Sequence, residues 1–199
     1  DVDLLNPIHK DRKDALKRFE ELGFPSKKDE SWKYTSLKSL VQKDYNLYAK
    51  SETNVELKDV KKYLLNDIDS FKIVFIDGVY SPFLSKTTHD GKDICVLSAA
   101  LSKDKYKKRI KKYFNKVVPS AESLASLNTS YTKEGAYIYI PEGICPEDPV
   151  QIMHFSTGSQ NSIWLQPRNL IIADKGSKIE IIERHQSLKD HSVVTNSLT

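Results

Sequence analysis

Cysteine is scarce in this sequence, which limits the kinds of site it can build. Cys95 and Cys145 are the only two, and they lie far apart in different segments. Neither belongs to a CxxC or Cys/His spacing of the kind that closes a zinc site, so that class of site is not indicated. We predict two reduced thiols, because disulfides are rare in the cytoplasm and nothing here points to an oxidising compartment.

Long apolar runs are also missing. No run approaches the ~20 residues that a transmembrane helix needs, and the opening residues DVDLLNP lack the basic start and apolar middle of a signal peptide. We therefore predict a cytoplasmic protein with no membrane partner. Because the sequence begins at Asp1 and its one methionine is Met153, we also expect it to be trimmed or processed at one end at least.

An excess of one charge and recognisable catalytic motifs are absent too. Lys and Arg number 31 against 27 for Asp and Glu, a balance typical of a solvated surface and not of a nucleic-acid binder. The sequence has no GxSxG, Walker, HExxH or GxGxxG motif, so no enzyme class is indicated. Aromatic residues, at 10%, are frequent enough to predict a packed core instead of a disordered chain.

Amphipathic segments are the main feature of the first two thirds of the chain. Apolar residues at helical spacing predict helices over residues 8–22, 54–68, 102–118 and 121–131. We expect the second of these helices to pack on the first. A change to strand-like residues predicts a β-hairpin near residues 71–84, with its turn at Asp77-Gly78, and a short strand at 94–97.

From Gly135 onward, short runs of β-branched and aromatic residues alternate with Gly, Pro and Asp, a pattern typical of successive strands. The predicted strands cover residues 136–140, 150–155, 163–166, 169–173, 178–183 and 193–198. Turns are predicted at 141–143 and 174–176. This spacing fits a β-sandwich and a β-helix equally well.

The segment 102–118 combines an apolar stripe with a lysine-rich face. Its stripe consists of Tyr106, Ile110, Tyr113, Phe114 and Val117. A basic amphipathic helix is compatible with binding to nucleic acid or to a membrane surface. We favour a helix that packs on the domain by its stripe and leaves its lysines in solvent.

Histidines and carboxylates near the end of the chain are the remaining candidates for chemistry. His185 and His191, near Glu183 and Asp190, could form a metal or acid–base cluster if neighbouring strands brought them together. Two histidines six positions apart are a weak signal, so we assign no catalytic, cofactor-binding or metal residue.

A pair of carboxylates would instead suggest polysaccharide cleavage, because glycoside hydrolysis uses an acid and a second carboxylate. Glu180 and Glu183 lie on opposite faces of a regular strand and cannot form that pair without a bulge. A β-helical carbohydrate-active enzyme therefore stays an alternative without a named site.

Four sequence blocks together resemble a known family. They are RKDALKRFEELGFPSKKDESWKYTSL, FIDGVYSPFLS, SLNTSYTKEGAYIYIPEGICPEDPVQIMH, and PRNLIIADKGSKIEIIERHQSL followed by VVTNS. In this order they resemble the SufD family, a core subunit of the SUF iron–sulfur cluster assembly machinery. The sister family SufB shares the β-helical core, but the first two blocks resemble SufD more closely.

The resemblance implies a fold and a role. The expected fold is α+β: an N-terminal helical region with a β-hairpin over residues 1–131, then the first coils of a right-handed parallel β-helix over 132–199. The expected role is that of a scaffold and not an enzyme, pairing with SufB and SufC in the SufBCD complex. That complex handles an iron–sulfur cluster, but we expect no cofactor within these residues.

SufD-like chains continue well beyond this length, through further coils to the segment that binds SufC. The resemblance therefore implies that the β-helix is incomplete here and that the SufC-binding segment is missing. An open β-helix end exposes unpaired backbone groups. We expect residues 193–198 to pair with another copy of the chain, with a swapped segment or with a neighbouring molecule in a crystal, so that self-association through this end is possible.

Overall fold

The computed structural model describes residues 7–47, 54–118, 122–158 and 162–199. Within these ranges the chain consists of α-helices and mixed β-sheets, which confirms the predicted α+β class. The α-helices are α1 (His9–Leu22), α2 (Lys38–Val41), α3 (Leu57–Val60), α4 (Leu97–Leu101), α5 (Asp104–Tyr113) and α6 (Ser123–Tyr131). Short 3-10 turns lie at Glu30–Trp32, Lys61–Tyr63 and Pro82–Leu84.

The N-terminal helix α1 packs against α6. It ends at Gly23, where a φ of 67° turns the chain and the Gly23 N–H donates to the carbonyl of Phe19 at 2.8 Å. The Ser123 hydroxyl donates to the Gly23 carbonyl and so joins the end of α1 to the start of α6. The sequence also favours a helix start at Asn6-Pro7, because Asn can cap free amides and Pro suits the first turn, but Asn6 lies outside the described residues.

The helix predicted over 54–68 is much shorter and docks elsewhere. It consists of the single turn α3 followed by the 3-10 turn Lys61–Tyr63. Val60 and Leu64 are buried against Val74 and Met153 of the sheet, so the prediction that this segment packs on α1 is wrong. The segment covers a sheet face because that face is a continuous apolar surface.

The strands are β1 (Phe71–Ile76), β2 (Val79–Tyr80), β3 (Asp93–Val96), β4 (Ala136–Ile140), β5 (Val150–Ser156), β6 (Ile163–Leu165), β7 (Leu170–Ala173), β8 (Ile181–Ser187) and β9 (Val193–Thr195). They form three sheets with the orders β2-β1-β5-β8, β3-β4-β7 and β6-β9. Three parallel pairs, β4–β7, β5–β8 and β6–β9, join each strand to the third strand after it.

N-terminal elements line one edge of this arrangement. β1 runs parallel to β5, β3 runs antiparallel to β4, and Asn46 forms a parallel bridge with Ile163 of β6. At the opposite edge, β7, β8 and β9 have no further strand neighbour within the described ranges. One edge is therefore covered by the chain itself, and the other is open in the described part.

The predicted β-hairpin is present but short. β1 and β2 pair antiparallel across Asp77 (φ 47°) and Gly78 (φ 80°), the two positive values that a two-residue hairpin turn requires. β2 ends at Tyr80, and a 3-10 turn begins at Pro82, whose ring nitrogen has no hydrogen to continue the ladder. The return strand expected to reach residue 84 is therefore wrong beyond Tyr80.

One core cluster lies between two of the sheets. Ile73, Val150 and Ile152 of the first sheet pack against Ile94 and Ile138 of the second. Alternate residues of the same strands point the other way and are covered by α3 and the turn that follows it. Strand side chains alternate between the two faces, and both faces of β1 and β5 are covered. These two strands are therefore nearly continuous apolar runs in the sequence.

Two predicted elements are displaced along the sequence. The strand predicted at 178–183 is observed at Ile181–Ser187, because the pairing with β5 extends through Ser156 opposite Ser187. The strand predicted at 193–198 ends at Thr195, and only Leu198 makes a further isolated bridge.

The basic helix predicted over 102–118 ends at Tyr113 in the structure. Tyr106, Ile110 and Phe114 of its predicted stripe are buried, but Val117 is 92% exposed. Phe114 is already extended, with a ψ of 131°, and Asn115 adopts a φ of 56°, so the chain is out of the helix before Val117. Within the described residues, no helix has the length and apolar character needed to cross a bilayer.

Candidate functional site

The inner face of the first sheet changes from apolar to polar along its strands. On β5, Val150 and Ile152 are followed at the same spacing by His154. On β8, Ile181 is followed in the same way by Glu183 and His185. Because successive side chains alternate between faces, residues two apart share a face, and the register places His154 beside His185.

Three rings form a ladder across this face. Phe75, His154 and His185 occupy equivalent positions on the neighbouring parallel strands β1, β5 and β8. The centroids of Phe75 and His154 are 4.9 Å apart with planes 9° from parallel, and those of His154 and His185 are 4.5 Å apart at 5°. In-register strands about 4.8 Å apart impose this stacking.

The carboxylate of Glu183 lies against both imidazoles. Its Oε1 is 3.1 Å from Nε2 of His185 and 3.6 Å from Nε2 of His154. The same Oε1 accepts the Ser197 hydroxyl at 3.1 Å, and Oε2 accepts the Thr199 hydroxyl at 3.0 Å. Glu183 is thus held from β5, from its own strand and from the segment after β9.

This arrangement continues as a chain of hydrogen bonds into the interior. The amide of Asn169, itself buried, donates to the Thr199 hydroxyl at 3.0 Å. The other end of Asn169 accepts the Ala136 N–H at 2.8 Å. The side chain of Glu183 is therefore oriented by a network that reaches β4 on the second sheet.

The environment shifts the pKa values of His154 and Glu183. Burial is the main influence on His154 and lowers its pKa, so the neutral imidazole is favoured despite Glu183 nearby. Burial alone would raise the pKa of Glu183. The nearby His154 ring and hydrogen bonds with His185 and Thr199 outweigh that effect and hold the Glu183 pKa well below its ordinary value.

His154 also faces a cavity within the molecule. Phe75 and His154 line it together with polar residues that include Asp77, Lys133 and Glu134. Asp77 is buried and accepts hydrogen bonds from the N–H and hydroxyl of Thr157, at 2.9 and 2.6 Å. The cluster therefore adjoins polar space on the β1 side as well as the open edge at β8.

The structure brings together only part of the cluster considered from the sequence. His185 and Glu183 are in contact, but His191 bonds the Lys189 carbonyl through Nδ1 at 2.7 Å. Neither His191 nor Asp190 belongs to the group of ligand atoms around Glu183. His154 takes the second imidazole position, and only the register of β5 with β8 could have revealed it.

The two other features considered from the sequence are Glu180 and the basic helix α5. Glu180 is exposed and lies 3.6 Å from Lys178, apart from the Glu183 cluster. Arg109, at the centre of the basic helix α5, stacks over the ring of Tyr139 at 3.4 Å and donates to the Tyr137 hydroxyl at 3.1 Å. Arg109 of α5 thus points at the protein.

The two cysteines are both free thiols, as predicted. Cys95 is buried in β3, where burial chiefly raises its pKa to about 11. Cys145 is exposed, and its Sγ lies 3.8 Å from the Gly176 carbonyl.

Chemically, His154, Glu183 and His185 supply two imidazole nitrogens and a carboxylate oxygen. Their ligand atoms all lie within 4.8 Å of one another, and within the described residues they form the one such group of three. Such a set can bind a divalent metal ion or pass a proton between its members.

Comparisons with known proteins place the chain in a family. A family model described as the N-terminal region of SufBD proteins matches residues 3–152. The chain is 26% identical over 181 residues to the iron–sulfur cluster assembly protein SufD of Escherichia coli K12, covering 88% of this chain and 38% of that protein.

Two further relatives carry the SufBD family name. An iron–sulfur cluster assembly protein of Synechocystis is 23% identical over 177 residues, covering 89% of this chain and 39% of its own length. One from Pyropia yezoensis is 30% identical over 148 residues, covering 69% of this chain and 29% of its own length. The chain thus spans well under half the length of these relatives. Because the family model matches more than half of the chain, this protein belongs to the SufBD family.

Proposed function

We propose that this chain is the N-terminal part of a SufD-type scaffold subunit for iron–sulfur cluster assembly. The observation that carries the proposal is the family match over residues 3–152. The relatives that cover most of this chain are named as iron–sulfur cluster assembly proteins, and one of them is SufD. As a scaffold, the subunit pairs with SufB and works with SufC, and it has no catalytic residue of its own.

The proposed platform is a parallel β-helix. The pairing of β4 with β7, β5 with β8 and β6 with β9 supports it, since each strand lies beside the one three later. On this proposal β4, β5 and β6 form the first coil of a right-handed β-helix, and β7, β8 and β9 form the second. The N-terminal strands β1 and β3 then cap the first coil.

The proposed setting is the cytoplasm, with protein partners and no nucleic acid or membrane. The free thiols of Cys95 and Cys145 support a reducing compartment. The contacts of Arg109 with Tyr137 and Tyr139 support a structural role for α5. The open edge at β7, β8 and β9 supports self-association or pairing with further strands.

Recovery of a complex from purified proteins tests the partnership. A tagged full-length parent of this chain is mixed with SufB and SufC, and the bound proteins are identified after washing. We expect both to be retained. If the parent is folded by circular dichroism and retains neither, the SufD-type assignment is wrong.

A further inference from the structure

The side chains of His154, Glu183 and His185 are held in place before any ligand arrives. Parallel, in-register pairing of β5 and β8 fixes the two imidazoles side by side. The hydroxyls of Ser197 and Thr199 hold the carboxylate from the opposite side. Such outer hydrogen bonds orient ligands at metal sites and strengthen binding.

One nitrogen of this cluster has no hydrogen-bond partner. Nε2 of His154 is buried and makes none with the described residues, although it points toward Glu183 at 3.6 Å. The His154 side chain is only 5% exposed. A buried polar atom without a partner is destabilising, so an occupant that binds this nitrogen removes that penalty.

The two oxygen–nitrogen separations of the cluster are close to those around a tetrahedral ion. With bonds of about 2.0–2.2 Å, neighbouring ligand atoms of a tetrahedral zinc site lie roughly 3.3–3.5 Å apart. The two oxygen–nitrogen separations in the cluster are 3.1 and 3.6 Å, on either side of that range. The two imidazoles are stacked 5° from parallel, so binding one ion through both nitrogens requires the rings to turn toward each other about their side-chain bonds.

We propose that His154 Nε2, His185 Nε2 and Glu183 Oε1 bind a divalent first-row transition metal ion on the inner face of the strands. Imidazole and carboxylate ligands suit Zn²⁺, Co²⁺ and Fe²⁺, and two histidines with one glutamate leave the fourth position open to an exchangeable ligand. The side chain of His185 is 37% exposed. The site stands on this geometry and is independent of the partnership with SufB and SufC.

Titration of the purified chain with Co²⁺ tests the site. We expect saturable binding of one ion, with the visible absorption of four- or five-coordinate Co²⁺ and displacement by Zn²⁺. Glu183→Gln and His185→Gln remove direct ligands and should each weaken binding at least roughly 100-fold, beyond the 10–100-fold typical of outer partners. The control His191→Asn alters a nearby histidine outside the cluster and should bind like the parent.

Paramagnetic NMR of the unmodified chain covers the case in which a variant fails to fold. Bound Co²⁺ should give strongly shifted ring resonances from His154 and His185, while His89 and His191 keep their positions. Parental affinity in His185→Gln, or shifts on other histidines, would overturn the proposal. Partner recovery by the full-length parent with no metal binding would remove this site and leave the scaffold assignment intact.

Discussion

The imidazoles of His154 and His185 lie 4.5 Å apart and 5° from parallel, on strands whose register places the two residues side by side. Thirty-one positions of sequence separate them, counted as 185 minus 154. Glu183 lies against both rings, and its carboxylate is hydrogen-bonded by His185 of its own strand and by Ser197 and Thr199 after β9. Parallel strand pairing is therefore what creates the polar cluster.

Acid should weaken the fold through Glu183. Its pKa lies below the ordinary 4.5, because hydrogen bonds outweigh the opposing effect of burial. Its contribution to the free energy of unfolding is therefore complete above pH 4.5 and is lost as the pH falls below that value. We expect Glu183→Gln to lower this free energy by about 1–3 kcal/mol at neutral pH, with the difference from the parent shrinking in acid.

Urea unfolding at a series of pH values measures this difference. Glu180→Gln is the matched control, since Glu180 is exposed and forms one surface ion pair with Lys178, and it should change stability by less than about 1 kcal/mol. If the loss of unfolding free energy in Glu183→Gln grows as the pH falls, the predicted direction of the pKa shift of Glu183 is wrong.

Gly135 should not tolerate a side chain. A Cβ at this position would lie 1.7 Å from the carbonyl oxygen of Arg168, which is backbone and cannot move aside alone. We expect Gly135→Ala to destabilise the protein by more than about 3 kcal/mol or to prevent folding. Gly143→Ala is the comparison, because Gly143 has open space and only its φ of 72° to oppose a Cβ, at a cost of about 1–2 kcal/mol. Equal thermal stability of the two variants would contradict this packing.

Arg109 should matter for stability and Lys108 should not. Arg109 stacks on Tyr139 and donates to Tyr137, whereas Lys108 is exposed on the same helix. Arg109→Ala should lower the free energy of unfolding by about 1–2 kcal/mol, and Lys108→Ala should lower it by less than about 0.5 kcal/mol. Thermal unfolding compares them. Salt-sensitive binding of RNA that disappears with Lys108→Ala would instead favour the nucleic-acid alternative.

The two thiols should react at very different rates. Burial raises the pKa of Cys95 to about 11 and closes off its sulfur, while Cys145 is exposed. Since the thiolate is the reactive form, we expect a disulfide reagent to label one thiol in the native protein and two in denaturant. Peptide mapping should place the native label on Cys145, and rapid labelling of Cys95 would contradict its burial.

Much of the strand content follows from local sequence. β4 and β5 are runs of apolar and β-branched residues bounded by turn signals, and the hairpin turn follows from Asp77-Gly78. β8 begins and ends later than the strand predicted at 178–183, because Glu183, Arg184, His185 and Gln186 interrupt the apolar alternation. Its position is set by pairing with β5 and not by its own composition.

The cluster itself could be predicted only in part. Glu183 and His185 are two residues apart, so a strand places them on one face. His154 lies within the apolar run of β5, and its partnership depends on a non-local register that spacing does not encode. The docking of α3 on the sheet does not follow from the sequence for the same reason. Val60 and Leu64 are suited to any apolar surface, and only the folded structure shows that they cover a face of the sheet.

X-ray absorption of the Zn²⁺-loaded chain tests the metal site at His154, Glu183 and His185 most directly. We expect a four-coordinate shell with bonds of about 2.0–2.2 Å, the scattering pattern of two imidazoles and oxygen in the remaining positions. His185→Gln should lose one imidazole from that pattern. A six-coordinate shell of oxygen alone, or a shell containing sulfur from Cys145, would contradict the site.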